Sequence, residues 1–139
     1  MSRSGYTDDY DDGDYPIALY RNAVNRAITG KRGQAFLREM TAALDAMPVK
    51  ELVADVIVKD SQHVCAIGSV ALARGMNVEA LDEYDGDDVG KAFGIARSLA
   101  CEIAYENDEG GPTRTAETPA ERWTRMRAWV DGHLSREVT

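Results

Sequence analysis

This sequence has few of the residues on which small disulfide-bonded or zinc-binding proteins depend. It contains two cysteines, Cys65 and Cys101, and two histidines in 139 residues. A structural zinc site needs four ligands, and only His63 and Cys65 lie close together, at a spacing that matches no paired-ligand pattern. We therefore expect no metal site, and we expect both thiols to be reduced.

Long apolar stretches and secretion signals are also missing. No apolar run approaches the ~20 residues that cross a bilayer, and the sequence does not start with a basic segment followed by an apolar one. We therefore expect no membrane contact and a cytoplasmic location. No glycine-rich phosphate loop has the required spacing, so we expect no cofactor.

A basic surface is the third absence. The chain has 24 acidic and 16 basic side chains, which gives a net charge of −8. Because broad contact with a phosphate backbone needs cationic side chains that displace counterions, we expect no direct nucleic-acid binding. An acidic surface suits the opposite role, in which a protein competes for the nucleic-acid groove of another protein.

What the sequence does contain is helical periodicity. Residues 1–15 hold five aspartates, one arginine and no aliphatic side chain beyond the initial methionine, which predicts a flexible acidic N-terminal arm. The pattern over residues 16–136 predicts a single compact globular domain, mainly α-helical with a small central β-hairpin, of about five helices. Two of these helices precede the hairpin. Pro16 begins the first, and Pro48 stops the second.

The hairpin is predicted from a change in composition. Residues 50–59 are too rich in β-branched side chains for a helix, and a connection at 59–62 leads to a second strand over 63–67. A helix that ends at Gly75 follows.

The second half of the chain is predicted as loop, helix, loop and helix. Residues 76–90 are acidic and loop-like, and residues 92–105 form the next helix. Thr118 as N-cap, Pro119 in the first turn and Glu121 three residues after the cap predict the start of the last helix.

Cys65 stands where an apolar strand is predicted to turn into a helix, where a fold could activate a thiol. A helix N-terminus favours thiolate, and His63 would share the face of Cys65 on a strand. With Asn107 or His133 folded back, the group would resemble the Cys–His–Asn arrangement of a cysteine hydrolase or amidotransferase. The alternative, which we favour, is a small apolar side chain that fills space beside Gly68.

The acidic stretch before residue 90 also matches part of a calcium loop. Asp85, Asp87 and Gly90 fit positions one, three and six of an EF-hand, but Val89 and Ala96 stand where further ligands should be. We therefore expect no calcium site.

Three acidic clusters, residues 8–14, 82–88 and 102–109, carry most of the excess negative charge. If the fold brings two of them onto one face, they could imitate phosphates and occupy a basic groove on another protein; otherwise they are solvated surface. The candidate partner-binding residues are Asp82, Glu83, Asp85, Asp87, Asp88, Glu106, Asp108 and Glu109.

Four segments carry a resemblance: GKRGQAFLRE (30–39), VCAIG (64–68), YENDEGG (105–111) and TPAERW (118–123). They resemble small hypothetical proteins carried by bacteriophages and prophages of proteobacteria, over residues 20–131. The Cys-Ala-x-Gly and Asn-Asp motifs are also similar to those of other uncharacterised small bacterial proteins. The resemblance implies a phage setting in the host cytoplasm, but no established activity and no site residue.

These observations together predict a non-enzymatic phage accessory protein that binds a host protein with a basic surface. Through its acidic surface it would inhibit a nucleic-acid-handling or defence complex, an anti-CRISPR-like role. Two alternatives stay open. One is a cysteine-dependent hydrolase with Cys65 as nucleophile, and the other is a virion or assembly component.

Overall fold

Within the described residues, the chain forms six α-helices and one two-stranded antiparallel sheet. The computed structural model describes residues 3–4, 17–60, 62–111 and 117–135, without the side chains of residues 17 and 18. The elements in chain order are α1 (Ile17–Thr29), α2 (Lys31–Ala46), β1 (Val58–Asp60), β2 (His63–Val64), α3 (Ala66–Arg74), α4 (Gly86–Phe93), α5 (Arg97–Glu109) and α6 (Pro119–His133). The prediction of a mainly helical protein with a small central hairpin is confirmed.

The first two helices meet at a tight turn. Gly30 separates them, and α2 then approaches α1 so closely that a Cβ on Gly33 would lie 1.8 Å from the carbonyl oxygen of Ala27. Gln34 closes the turn, since its Nε2 donates a hydrogen bond to the carbonyl oxygen of Ile28 at 2.7 Å. The absence of a side chain at position 33 therefore sets the spacing of α1 and α2.

The core lies around α2 and α5. α2 packs against α1, α3 and α6, whereas α5 packs against α1, α3, α4 and α6. The buried apolar side chains form one continuous cluster. Its largest fully buried members are Phe93, Leu37, Met40, Leu44, Leu52, Ile57, Leu99, Ile103 and Met126.

The hairpin is shorter than its sequence pattern predicts. Val58 pairs with Val64 and Asp60 with His63, and residues 51–57 before them carry neither helix nor strand. The second strand stops at Val64 because Cys65 already caps α3. The strand predictions over 50–59 and 63–67 are therefore too long.

The expectation of about five helices is corrected to six within the described ranges. α4 begins inside the stretch predicted as a loop, because Asp85 caps it: Oδ1 accepts from the N–H groups of Asp87 and Asp88 at 3.0 and 3.4 Å. Gly94, with φ of 77°, ends α4 and separates it from α5. Asp85 and Asp87, which match two positions of a calcium loop in the sequence, thus mark the start of a helix.

Two other helix ends follow their sequence signals. Thr118 Oγ1 accepts from the N–H of Glu121 at 3.1 Å, and Glu121 Oε1 accepts from the N–H of Thr118 at 2.9 Å. This capping box begins α6, with Pro119 in the first turn. Gly75 ends α3 in the left-handed conformation, with φ of 69°. Both predictions are confirmed.

Most of the segment predicted as an acidic arm, residues 1–15, lies outside the described residues, as does Pro16. Arg3 and Ser4 are described, and they are buried, with 5% and 2% of their surface exposed. Arg3 belongs to the polar cluster analysed in the next section.

Gly33→Ala is expected to destabilise the protein, because the added Cβ cannot fit unless α1 and α2 separate. We expect the free energy of unfolding to fall by about 1–3 kcal/mol, measured by urea denaturation followed by circular dichroism. Gly132→Ala in α6 is the matched control, since nothing lies within 4 Å of its added Cβ. Its higher helix propensity should leave stability unchanged or raise it by up to about 1 kcal/mol. Equal effects of the two substitutions would contradict the close approach.

Candidate functional site

Cys65 is the N-cap of α3, and only 1% of its surface is exposed. Its sulfur accepts a hydrogen bond from the N–H of Gly68 at 3.4 Å. The helix lies so close to the segment before β1 that a Cβ on Gly68 would be 2.2 Å from the carbonyl oxygen of Ile57. At this position the thiol caps a helix and fills space.

Asn107 lies in α5 near its end, with 0% of its surface exposed. Its Oδ1 accepts from the N–H of Ala66 at 3.0 Å, so the structure does bring Asn107 next to Cys65. Its Nδ2 donates to the carbonyl oxygen of Val53 at 3.0 Å and to Asp108 Oδ1 at 2.9 Å. These three bonds hold α3 and the segment before β1 against α5, and none of them reaches the sulfur.

Asp108 binds Arg3 through both carboxylate oxygens. Arg3 Nε donates to Oδ2 at 2.7 Å and Nη2 donates to Oδ1 at 2.8 Å, with 2% and 3% of the two side chains exposed. Arg3 Nη1 also donates to Cys65 Sγ at 3.4 Å. The N–H of Asp55 donates to Asp108 Oδ1 at 3.0 Å, although Asp55 has an unusual φ of 71°. We call Arg3, Asp55, Cys65, Asn107 and Asp108 the buried polar cluster.

The charges of Arg3 and Asp108 compensate each other inside the protein. Burial alone would raise the pKa of Asp108, but the hydrogen bonds and the charge of Arg3 outweigh it and lower that pKa. Burial also opposes the charged form of Arg3, yet Cys65 and Asp108 together raise its pKa above the ordinary value. The pair therefore stays ionised at neutral pH.

Arginines from two distant segments stabilise the end of α5, whose last turn holds no basic residue. Arg125 of α6 donates to the carbonyl oxygens of Glu106 and Asn107 at 2.7 and 3.2 Å. Arg3 pairs with Asp108 in the same turn. Because the C-terminus of a helix carries partial negative charge, both cations are well placed there.

The two histidines lie elsewhere. His63 is exposed on β2, and its Nδ1 is 2.6 Å from Asp60 Oδ1. His133 is exposed at the end of α6, where its Nδ1 is 2.8 Å from the carbonyl oxygen of Trp129. Within the described part of the chain, the hydrogen bonds of neither imidazole reach Cys65.

Cys101 is the second buried thiol, with 6% of its surface exposed, and the two cysteines form no disulfide. It faces α4, since a Cβ on Gly86 would lie 2.6 Å from its sulfur. Burial raises the pKa of Cys101. A cavity of about 10 Å³ lies between this cysteine and Arg3, which is room for about one water molecule.

The eight acidic residues proposed from the sequence for partner binding lie in two places. Asp108 is buried in the polar cluster, whereas Glu106 and Glu109 are partly buried near the end of α5. Burial and the neighbouring Glu102 raise the pKa of Glu106. The other five lie just before α4 or in its first turn: Asp82, Glu83, Asp85, Asp87 and Asp88.

We call residues 79–88 the acidic segment; Glu79 is its sixth carboxylate. None of the six forms an ion pair with another described residue. Where they accept hydrogen bonds, the donors are backbone N–H groups, as for Glu83 with Ile57 at 3.0 Å. The carboxylates paired with arginines lie elsewhere in the chain: Glu39 with Arg74, Asp45 with Arg127, Glu102 with Arg21, and Glu117 with Arg125. Backbone N–H groups carry no formal charge, so the six carboxylates of the acidic segment have no cationic partner among the described residues.

A groove of about 640 Å³ is lined by Val78, by residues 79 and 81–84 of the acidic segment, and by strand β1. Its apolar side chains include Val58 and Tyr84, which are 36% and 56% exposed. Its charged side chains are four carboxylates and one lysine, a formal net charge of −3: Asp60, Glu79, Asp82, Glu83 and Lys59.

Among the described residues, no three His, Cys, Asp or Glu side chains are placed to hold a metal ion. In the same ranges, no helix combines the length and the apolar character needed to cross a membrane.

Comparisons with protein-family models, with curated proteins and with solved structures find no match to this chain.

Arg3 and Asp55 are the members of the polar cluster that the sequence alone did not reveal. Arg3 stands among small and polar residues, and no apolar periodicity marks it as buried. The sequence signal for the burial of Arg3 lies in its partner, Asp108. Asp108 follows an apolar helix face that includes Leu99 and Ile103, and a carboxylate buried there requires a cation.

We expect iodoacetamide to leave both thiols of the native protein unmodified at neutral pH, because Cys65 and Cys101 are buried. Mass spectrometry should find both labelled after unfolding in urea. Rapid labelling of Cys65 in the folded protein would contradict its role as a buried cap and would favour the hydrolase alternative.

Asn107→Asp is expected to destabilise the protein by about 3 kcal/mol or more. The substitution removes Nδ2, which donates to the carbonyl oxygen of Val53 and to Asp108 Oδ1. It also puts a second carboxylate beside Asp108 at a fully buried position. Chemical denaturation at pH 7 measures the loss. Asn77→Asp is the control: Asn77 is exposed and uses only its oxygen, as acceptor from the N–H of Glu79 at 2.9 Å. We expect that variant to stay within about 0.5 kcal/mol of the wild type; similar losses at both positions would contradict the role of Asn107.

Proposed function

We propose that this protein acts by binding a basic partner protein, with the acidic segment and its groove as the binding surface. One observation carries the proposal: a groove that exposes apolar side chains is lined by Glu79, Asp82 and Glu83, three carboxylates that form no ion pair with another described residue. Elsewhere in the described ranges, Glu39, Asp45, Glu102 and Glu117 are each paired with an arginine.

Charge supports this proposal. Concentrated negative charge repels itself, and a basic partner relieves that repulsion on binding. The negative charge of the surface also speeds its encounter with a positively charged partner, and it repels acidic proteins and nucleic acid. The specificity of the surface thus follows from the sign of its charge.

Apolar contact supports it as well. Charge at a rim contributes mainly to association rate, whereas affinity comes from desolvated anchors at the centre. Tyr84 and Val58 supply exposed apolar area within the same groove, and tyrosine is a common anchor in interfaces. The groove therefore combines the two features of a protein-binding surface.

The polar cluster does not favour an enzyme. Cys65, Asn107 and Asp108 are each engaged in bonds that hold backbone or the Arg3 guanidinium, and they are almost completely buried. The two imidazoles lie on exposed positions and bind other groups. A non-enzymatic role requires nothing further of these residues.

The resemblance to phage and prophage proteins makes the partner a host protein of the bacterial cytoplasm. A host factor that handles nucleic acid has the basic groove that such a surface fits, so the expected effect is inhibition, including inhibition of a defence complex in an anti-CRISPR-like manner. A virion component is the other phage role, and quantification of the protein in purified particles separates the two.

Binding is tested by pull-down from proteobacterial lysate with the wild type, Glu79→Lys and Glu51→Lys. We expect the wild type to recover a basic protein at about 50 mM salt and to lose it as salt rises. Glu79→Lys reverses a charge in the groove and should weaken recovery about three- to tenfold.

Glu51→Lys makes the same change at an exposed glutamate outside the groove, and recovery should stay at the wild-type level. Recovery of nothing at low salt would contradict the proposal. Equal loss in both variants would show that only net charge matters and would remove the groove from it.

A further inference from the structure

Arg3 occupies a pocket whose chemistry fits a guanidinium group. Nε and Nη2 contact the two oxygens of Asp108 at 2.7 and 2.8 Å, and Nη1 contacts Cys65 Sγ at 3.4 Å. Two parallel N–H···O bonds to one carboxylate match the planar fork of arginine, and the ammonium of lysine cannot form them. Three of the five guanidinium N–H groups are thus used in a closed site.

The small cavity beside the Arg3 side chain has one other charged lining residue, Glu83, and the rest of its lining is apolar. The apolar lining includes Ile57, Ile67, Val89, Ala100 and Cys101. These residues come from the segment before β1 and from α3, α4 and α5. Low polarity around the carboxylate strengthens its attraction for a cation.

The carboxylate is held in place without help from Arg3. Asp108 Oδ1 also accepts from the N–H of Asp55 at 3.0 Å and from Asn107 Nδ2 at 2.9 Å. Asn107 is itself fixed by the N–H of Ala66 and the carbonyl oxygen of Val53. Removal of the arginine side chain would therefore leave an oriented, buried anion that lacks its counter-charge.

We propose that this pocket is a guanidinium-binding site whose resident ligand is Arg3, and that it takes an arginine-type side chain from another molecule when Arg3 is absent. Glu83 lines both this cavity and the groove, and their other lining residues differ. The bonds that hold Arg3 involve Asp108 and Cys65, neither of which lines the groove, so this proposal does not rest on the proposed function. In the wild type, Arg3 excludes a second guanidinium.

The test uses full-length Arg3→Ala with N-ethylguanidinium chloride as the probe and ethylammonium chloride and sodium chloride as controls. We expect the melting temperature of Arg3→Ala to lie below that of the wild type, since a buried carboxylate has lost its partner. Ethylguanidinium should raise it saturably, by about 3–8 °C at ten times the dissociation constant. The two control salts should not.

Two further proteins make the result specific. Wild type should show no saturable rise, because Arg3 fills the pocket, and Arg3→Ala combined with Asp108→Asn should show none, because the anion is gone. An equal response to ethylguanidinium and ethylammonium, or a response that survives Asp108→Asn, would overturn the proposal. So would the absence of any saturable rise in Arg3→Ala.

If Arg3→Ala does not fold in buffer, the same titration is followed by circular dichroism. Recovery of the helical signal with ethylguanidinium and not with ethylammonium supports the pocket, and failure to recover in both contradicts it.

Arg3→Lys gives a second measurement: it keeps the charge but loses the two parallel bonds, so its melting temperature should fall below that of the wild type. A wild-type melting temperature in Arg3→Lys would count against a site selective for guanidinium.

Discussion

The side chains of Asn107 and Asp108 hold together parts of the protein that no regular secondary structure connects. The N–H of Ala66 at the start of α3, the carbonyl oxygen of Val53 and the N–H of Asp55 all bind to this pair. Residues 51–57 form neither helix nor strand, so their backbone groups need partners elsewhere. The N–H groups of Leu52 and Val53 bind backbone carbonyl oxygens, whereas the carbonyl oxygen of Val53 and the N–H of Asp55 bind side chains. With Asn107 at 0% exposure, each of its bonds replaces hydration that folding has removed. The start of α3, and with it the hairpin that precedes it, depends on these contacts.

The same contacts engage residue types that are suited to chemistry. A thiol at a helix N-terminus with a carboxamide nearby is a combination of groups that can form a nucleophilic site. In this protein the carboxamide binds backbone, the sulfur caps α3 and contacts Arg3, and the carboxylate neutralises that arginine. An active site needs polar groups that remain available to a substrate. The polar groups of this cluster are used in folding.

Several described carboxylates are paired with arginines from other parts of the chain, whereas those of the acidic segment are not. The arginines of α1, α3 and α6 pair with carboxylates on other helices, such as Glu102, Glu39 and Asp45, and Arg3 pairs with Asp108. The more exposed pairs, Arg74–Glu39 and Arg127–Asp45, contribute little stability each, whereas the buried Arg3–Asp108 pair is costly to break from one side. The six carboxylates of residues 79–88, next to exposed Tyr84, form no ion pair with another described residue. The binding surface is proposed at these carboxylates, and the guanidinium site is proposed at the buried pair.

Local signals in the sequence were sufficient for the class of the fold and for several element ends. Thr118 with Glu121 predicts the start of α6, and Gly75 predicts the end of α3, because caps act on backbone groups within a few residues. α4 was missed although Asp85 and Gly94 mark its ends, since the aspartates were compared with calcium ligands and the helix has only eight residues.

By itself the sequence determined the helical body, the hairpin and the excess of acidic residues, because periodicity, capping and composition are short-range properties. Only the tertiary structure decided that Asn107 lies against Cys65, that neither histidine does, and that Arg3 is buried against Asp108. Those contacts join residues 41 and 105 positions apart, and burial of polar groups at such separations is settled by how the helices pack.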